Sequence, residues 1–247
     1  MAANTSKCSL QNLLTSLLAP VNSEQNMILP PWVFDSMVNT ATSFLLSAFS
    51  KIYPDNNQVV DMIDPFVQIK RIAVMDGVIT IPSDYRNLLG TPSINVNKSS
   101  ASECGDSPPI DTPQQFKLAT LRGGCYRRPI RIVEQSEFDY LTTSEYKAPT
   151  LWDPIGYMAG QNKIRVCPFD IGKADVMYVR NEKIYRMAYI MQPDDTYLVD
   201  ADNSIDTEWD SAAFVPLFNA LNHLFAAYSR DAEFTNWAQI LTKEGII

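Results

Sequence analysis

Residues 214–241 read FVPLFNALNHLFAAYSRDAEFTNWAQIL, and their apolar side chains recur at helical spacing. Phe214, Leu217, Phe218, Leu221, Leu224, Phe225 and Tyr228 fall on one stripe, which Phe234, Ala238 and Leu241 extend. The pattern predicts a long terminal helix. Pro216 either sits in its first turn or kinks it, because proline removes a backbone donor and clashes with the preceding turn.

Such a stripe must be buried against another element, and the N-terminal region offers two. In SLQNLLTSLL, residues 9–18, Leu10, Leu13, Leu14, Leu17 and Leu18 keep helical spacing behind a Ser9 cap, and Pro20 ends the run. Pro30-Pro31 opens a second helix, expected from Pro31 to about Tyr53, in which Val33, Met37, Thr40, Ala41, Phe44, Leu45, Ala48, Phe49 and Ile52 recur every three or four positions.

From Phe66 the period changes to two. FVQIKRIAV alternates, Met75-Asp76-Gly77 supplies a turn and VITIP resumes, which reads as a β-hairpin. Pro82-Ser83-Asp84-Tyr85 predicts a short helix or turn to Gly90, followed by a strand at SINVN. Residues 98–113 (KSSASECGDSPPIDTP) lack periodicity and read as a long loop. Beyond it come a short element at 114–121, a strand around PIRIVEQ and a helical turn from Ser136 to Thr143. Ile155 to Tyr189 holds four β-like segments, expected as a meander or small sandwich, and 192–208 reads as an acidic loop with a short strand at TYLV.

The fold class expected is therefore α+β: a helical body, made of the N-terminal helix pair and the long C-terminal helix, with an antiparallel β-sandwich or meander. Four regions follow: 1–60, the N-terminal helices; 61–150, hairpin and irregular insertion; 151–208, β-rich; 209–247, the C-terminal helix packing on the N-terminal ones.

A formal charge of -8 argues against a protein that grips nucleic acid, although an acidic wall lets DNA pass without adhering to its phosphates. Cys8, Cys104, Cys125 and Cys167 contain no C-x-x-C pair, so they are expected to be reduced structural thiols rather than a zinc or redox motif. The N-terminus lacks the features of a secretory signal, and no apolar run is long enough to span a membrane. These absences predict a product assembled in the cytoplasm.

His223, the only histidine, lies inside the apolar helix pattern and reads as partly buried rather than catalytic. No phosphate-binding glycine motif occurs, and the acidic run from Asp194 to Asp210 lacks the spacing of an EF-hand, so no cofactor and no metal is expected. Arg122, Arg127, Arg128 and Arg131 form a basic cluster that reads as a solvated strand face, an oligomeric interface or a contact with DNA phosphate.

The block from KIRVCPFDIGKADVMYVRNEKIY through TYLVDADNSIDTEWDS to the terminal helix resembles the head-to-tail connector or adaptor proteins of short-tailed bacteriophages. The likeness rests on MYVR at 177–180, the acidic lead into the helix, the Val215-Pro216 opening, Ala220-Leu221, and Arg230, Asp231, Glu233 and Trp237 beyond. The N-terminal helix pair and PSDYRNLL at 82–89 also match, whereas 98–113 and 114–150 fit no family pattern. Low charge and Asn/Asp/Ser-rich loops suit phages of gut bacteria, including the crAss-like group.

The resemblance implies a non-catalytic virion protein at the head-tail junction. It would form a homo-oligomeric ring, dodecameric if it follows the portal, with the portal and other tail or ring proteins as partners. A central channel would touch DNA non-specifically, and Arg122, Arg127, Arg128, Arg131 and Trp237 are candidate interface or channel residues. Two other classes compete: a soluble hydrolase using Asp153 or Asp170, and a small virion adaptor binding through the 98–113 and 192–208 loops.

Overall fold

The computed structural model of the chain describes residues 8–18, 29–53, 57–97, 104, 125–160, 162–192 and 197–229. It is mixed α+β, with a large, mostly antiparallel sheet. The chain divides into two compact units, one formed by Met1–Phe66 with Glu182–Ile247 and the other by Val67–Asn181. The boundary expected at 150 thus falls inside the second unit, and both ends of the chain build the first.

In the first unit, α1 (Leu10–Leu18), α2 (Pro31–Ile52) and α5 (Phe214–Ser229) occupy the stretches whose periodicity predicted helices. Pro31 opens α2, where its missing N–H costs nothing, and Pro216 lies in the first turn of α5 for the same reason. Positions 230–247, including Trp237 and the stripe extension, lie outside the described residues. The sequence reading passed over a short helix, α3 (Asn57–Ile63), and the 3-10 turns Asp64–Phe66 and Ser211–Ala213.

The α5 stripe packs on α2 and α1, burying Leu217, Leu221, Phe225 and Ala226 opposite Val38, Ala41, Leu45 and Leu46 of α2 and Leu13 and Leu17 of α1. At the centre lies Trp209, fully buried, its ring edge-on to Phe66 at 4.7 Å and to Phe49 at 6.3 Å. Its indole N–H donates to Thr42 Oγ1 at 3.2 Å, which satisfies the one polar atom that this burial takes from water.

Polar bonds tie the same two stretches of chain together. Asp206 Oδ1 accepts from the Leu10 N–H at 2.7 Å, capping α1, while the Cys8 N–H donates to the Trp209 carbonyl and the Thr207 hydroxyl donates to the Cys8 carbonyl. Asn39 bonds Tyr185 in both directions, Nδ2 donating to its carbonyl and Oδ1 accepting from its N–H, each at 2.9 Å. These bonds fix the base of a two-stranded hairpin, β10 (Arg186–Met191) and β11 (Tyr197–Ile205), against α2. Most of the acidic loop expected at 192–208 is therefore strand, although 193–196 lie outside the described residues.

The second unit holds β1 (Val67–Met75), β2 (Val78–Thr80), β3 (Tyr85–Leu88), β4 (Ser93–Asn97), β5 (Cys125–Pro129), β6 (Arg131–Ile132), α4 (Gln135–Thr143), β7 (Ile155–Met158), β8 (Lys163–Cys167) and β9 (Lys173–Arg180). The strand order is β5-β4-β9-β1-β2-β8-β7-β6, with β3 also on β9 and, among the described residues, a parallel pairing only at β6–β7. The predicted β1–β2 hairpin forms, and its Asp76-Gly77 turn has φ of 52° and 70°, as a two-residue turn of this type requires. Two expectations are corrected. The helix or turn expected from Pro82 to Gly90 is a turn at Ser83-Asp84 followed by strand at 85–88, because pairing with β9 outweighs the local helix signal, and β8 and β9 are not neighbours, so 155–189 is no simple meander. Ile79, Ile94, Val96, Ile164, Val166, Val176 and Tyr178 form the core.

Asp35 tests the joint between α2 and the hairpin. Its Oδ1 accepts from the Met187 N–H at 3.0 Å, and burial raises its carboxyl above the ordinary 3.8 despite that bond and nearby Arg186. A raised carboxyl binds protons more tightly when folded, so its contribution to stability is full below pH 3.8 and is lost as pH rises through the higher folded value. We expect Asp35→Ala to cost about 1–3 kcal/mol by stranding the Met187 N–H. Asp35→Asn, which keeps an acceptor and cannot ionise, should match the wild type at low pH and gain on it as pH rises, as read by urea unfolding across pH.

Candidate interaction site

Strand alternation decides where the arginine cluster goes. On β5, Cys125 and Arg127 point to one face and Tyr126 and Arg128 to the other. Arg127 is only 7% exposed, and its Nε donates to Ser93 Oγ on β4 at 2.7 Å. Burial lowers its guanidinium to about 10; Asp175 pulls the value back up and Arg71 pushes it further down.

Asp175 on β9 is the anion of this buried group. Arg71 grips it with Nε to Oδ1 at 2.7 Å and Nη2 to Oδ2 at 3.1 Å, and Asn95 Nδ2 adds a third bond at 3.2 Å. A bidentate pair with a further donor offsets the cost of removing the carboxylate from water, so the arrangement fixes β1, β4 and β9 in register rather than presenting charge.

Arg128 lies over the Trp152 ring at 4.5 Å, with the Tyr126 ring 6.0 Å from the same indole. Arg131 is solvent-facing and pairs Glu137 of α4 at 3.4 Å. The described arginines therefore do not share one face, and Arg122 lies outside the described residues, as does Trp237. Asp153 and Asp170 are both exposed, and no group of three or more His, Cys, Asp or Glu able to hold a metal occurs among the described residues. Asp200 is occupied locally, accepting from Asn203 Nδ2 at 2.7 Å and from the Asp202 N–H at 3.1 Å.

The four-thiol expectation is corrected. Cys8 and Cys167 are free and buried, but Cys104 and Cys125 form a disulfide with Cα atoms 6.2 Å apart. Register rather than spacing brings them together: Cys125 faces Asn97 across the β4–β5 ladder, and the Cys104 N–H donates to the Asn95 carbonyl at 2.9 Å.

Sequence reasoning did not find two apolar surfaces of the first unit. On the hairpin, Ile190 and Leu198 oppose each other and are 49% and 57% exposed, where an open face ordinarily carries polar side chains. Asp35 and Asn39 hold the base of this arm, and burial and the Asp35 charge push the Tyr189 hydroxyl up to about 12. The second surface is concave: Thr40, Ala41 and Phe44 of α2 with Ala220, His223 and Leu224 of α5 enclose a groove of about 300 Å³. Phe44 is 67% exposed at its rim, and His223 is exposed rather than partly buried.

The two kinds of arginine pair should separate in unfolding experiments. Arg71→Ala leaves buried Asp175 without its bidentate partner and should cost about 3–5 kcal/mol. Arg131→Ala, at a surface pair, should cost less than about 1 kcal/mol, as read from urea midpoints.

No protein-family model matches the chain, and no curated protein matches it.

Proposed function

We propose that the chain is a structural ring subunit of a short-tailed bacteriophage, seated between portal and tail, with no catalysis of its own. In this reading the helix-rich unit is the body and the β-rich unit an attached domain. Portal and tail proteins are its neighbours above and below, and DNA passes through the channel with only non-specific contact.

The observation that carries the reading is the pair of unlike apolar surfaces on one unit. A closed ring is built from head-to-tail contacts, in which each copy offers two different patches that fit each other. The Ile190–Leu198 pair is an exposed apolar face of the hairpin and the α2–α5 surface is a groove, and in this reading the arm of one copy enters the groove of the next. Exposed apolar side chains that form a contiguous patch are a mark of such contacts. The acidic balance of the chain agrees with a wall past which DNA slides. Of the described arginines in the 122–131 cluster, Arg131 is the solvent-facing one and the one this reading assigns to a contact with a neighbour or a phosphate.

Mass measurement with negative-stain imaging, alone and with a candidate portal, tests the reading. Closed particles many times 27.8 kDa are expected, with twelve copies if the ring follows the portal. Ile190→Asp and Phe44→Asp should each give folded, non-assembling protein, whereas mixing the two variants should restore pairwise association through the one intact arm and groove. A wild type that stays monomeric with portal present, and turns over a substrate through Asp153 or Asp170, would overturn it.

A further inference from the structure

Strand β5 is the last strand on one side of the second unit's sheet, held among the described strands by β4 alone. Edge strands are the weakest part of a sheet and the readiest to pair wrongly, and proteins protect them with local devices. Here the device is covalent. Cys125 begins β5, and Cys104 bonds the Asn95 carbonyl of β4, so the disulfide doubles the β4–β5 connection where the edge strand starts. The strand it secures carries Arg127, whose bond to Ser93 closes onto the Asp175 group, and Arg128, which stacks on Trp152.

The other two cysteines are built differently. Cys8 lies in the first unit and Cys167 in the second, both buried and free. Burial pushes the Cys8 thiol up to about 11 and raises Cys167 as well, so neither offers the thiolate that thiol–disulfide exchange needs. Cys104, by contrast, is only partly buried, the less enclosed residue of its pair.

We propose that Cys104 and Cys125 are a redox-operated staple: a dithiol with a loosened β5 in a reducing compartment, and a disulfide that locks the edge strand when the protein meets a small-molecule disulfide oxidant. The Cys104 thiolate attacks one sulfur of the oxidant, expelling a thiolate and forming a mixed disulfide. Cys125 then attacks Cys104 and expels the second thiolate. Two protein thiols are oxidised by two electrons, and their two protons pass through solvent to the two expelled thiolates, so the oxidant is reduced to two thiols. The inference is independent of ring formation and holds for a monomer or an assembly.

The test uses the full chain purified under reducing conditions and titrated with oxidised glutathione. Thiols are counted in denaturant, the bond is located by mass spectrometry, and amide exchange is followed across 125–129. Free thiols are expected to fall from four to two, with Cys8 and Cys167 remaining, and exchange of the β5 amides should slow by roughly 100-fold while α2 and α5 peptides keep their rates. Cys104→Ser, a mild change at a partly exposed position, should exchange at the reduced rate under both conditions. Four persistent thiols, a stable mixed disulfide that never closes, or a bond that leaves β5 exchange unchanged would each overturn the proposal.

Discussion

The first unit depends on one constraint: residues some 150–200 positions apart must meet to close its core. Trp209 enters between Phe49, Thr42 and Phe66, and without it α2 and the turn before β1 would share no buried aromatic centre. Around it, the bonds from Asp206 and Thr207 to the α1 end and from Asn39 to Tyr185 satisfy backbone groups that the meeting takes from water. An unmade bond at such a place costs more than a made one contributes, so these contacts select the arrangement as much as they stabilise it.

The second unit follows from the same constraint, because it is the stretch of chain between Phe66 and Glu182. Its first strand and its last pair strands are neighbours, with Val67 opposite Val179, so the chain enters and leaves side by side. An inserted stretch whose ends already lie together closes its own core without stretching the unit that hosts it. Its polar group works locally too: Arg71, Asn95 and Asp175 join three strands that are far apart in sequence, and the Cys104–Cys125 bond secures the fourth.

Local pattern predicted what local pattern controls. The α2 and α5 stripes, the Asp76-Gly77 turn and the strands from Ile155 to Arg180 are legible because each signal repeats within a few residues of itself. What was missed rests on partners elsewhere in the chain. Tyr85–Leu88 follows a helix-like Pro-Ser-Asp start, yet pairing with β9 makes it strand. Trp209 sits alone in an acidic lead with no periodicity to mark it as the centre of a core. The arginines look like one patch in the sequence, but Arg127 alternates inward and Arg128 outward onto Trp152. The cysteine pair is invisible in a separation of 21 residues and visible only in the β4–β5 register. The strand expected at TYLV contains Leu198, but the acidic residues beyond it masked its continuation to Ile205, and nothing local marks Ile190 as its partner across the hairpin.

Native-state hydrogen exchange in rising denaturant measures whether the two ends of the chain form one cooperative unit. If the closure around Trp209 governs the first unit, core amides of α2 and α5 will converge on a single opening free energy with a common denaturant slope, and the core of β1, β8 and β9 will follow its own. If α5 instead opens at a far lower free energy while α2 stays protected, the two ends are not one unit and the account of the fold built on Trp209 is wrong.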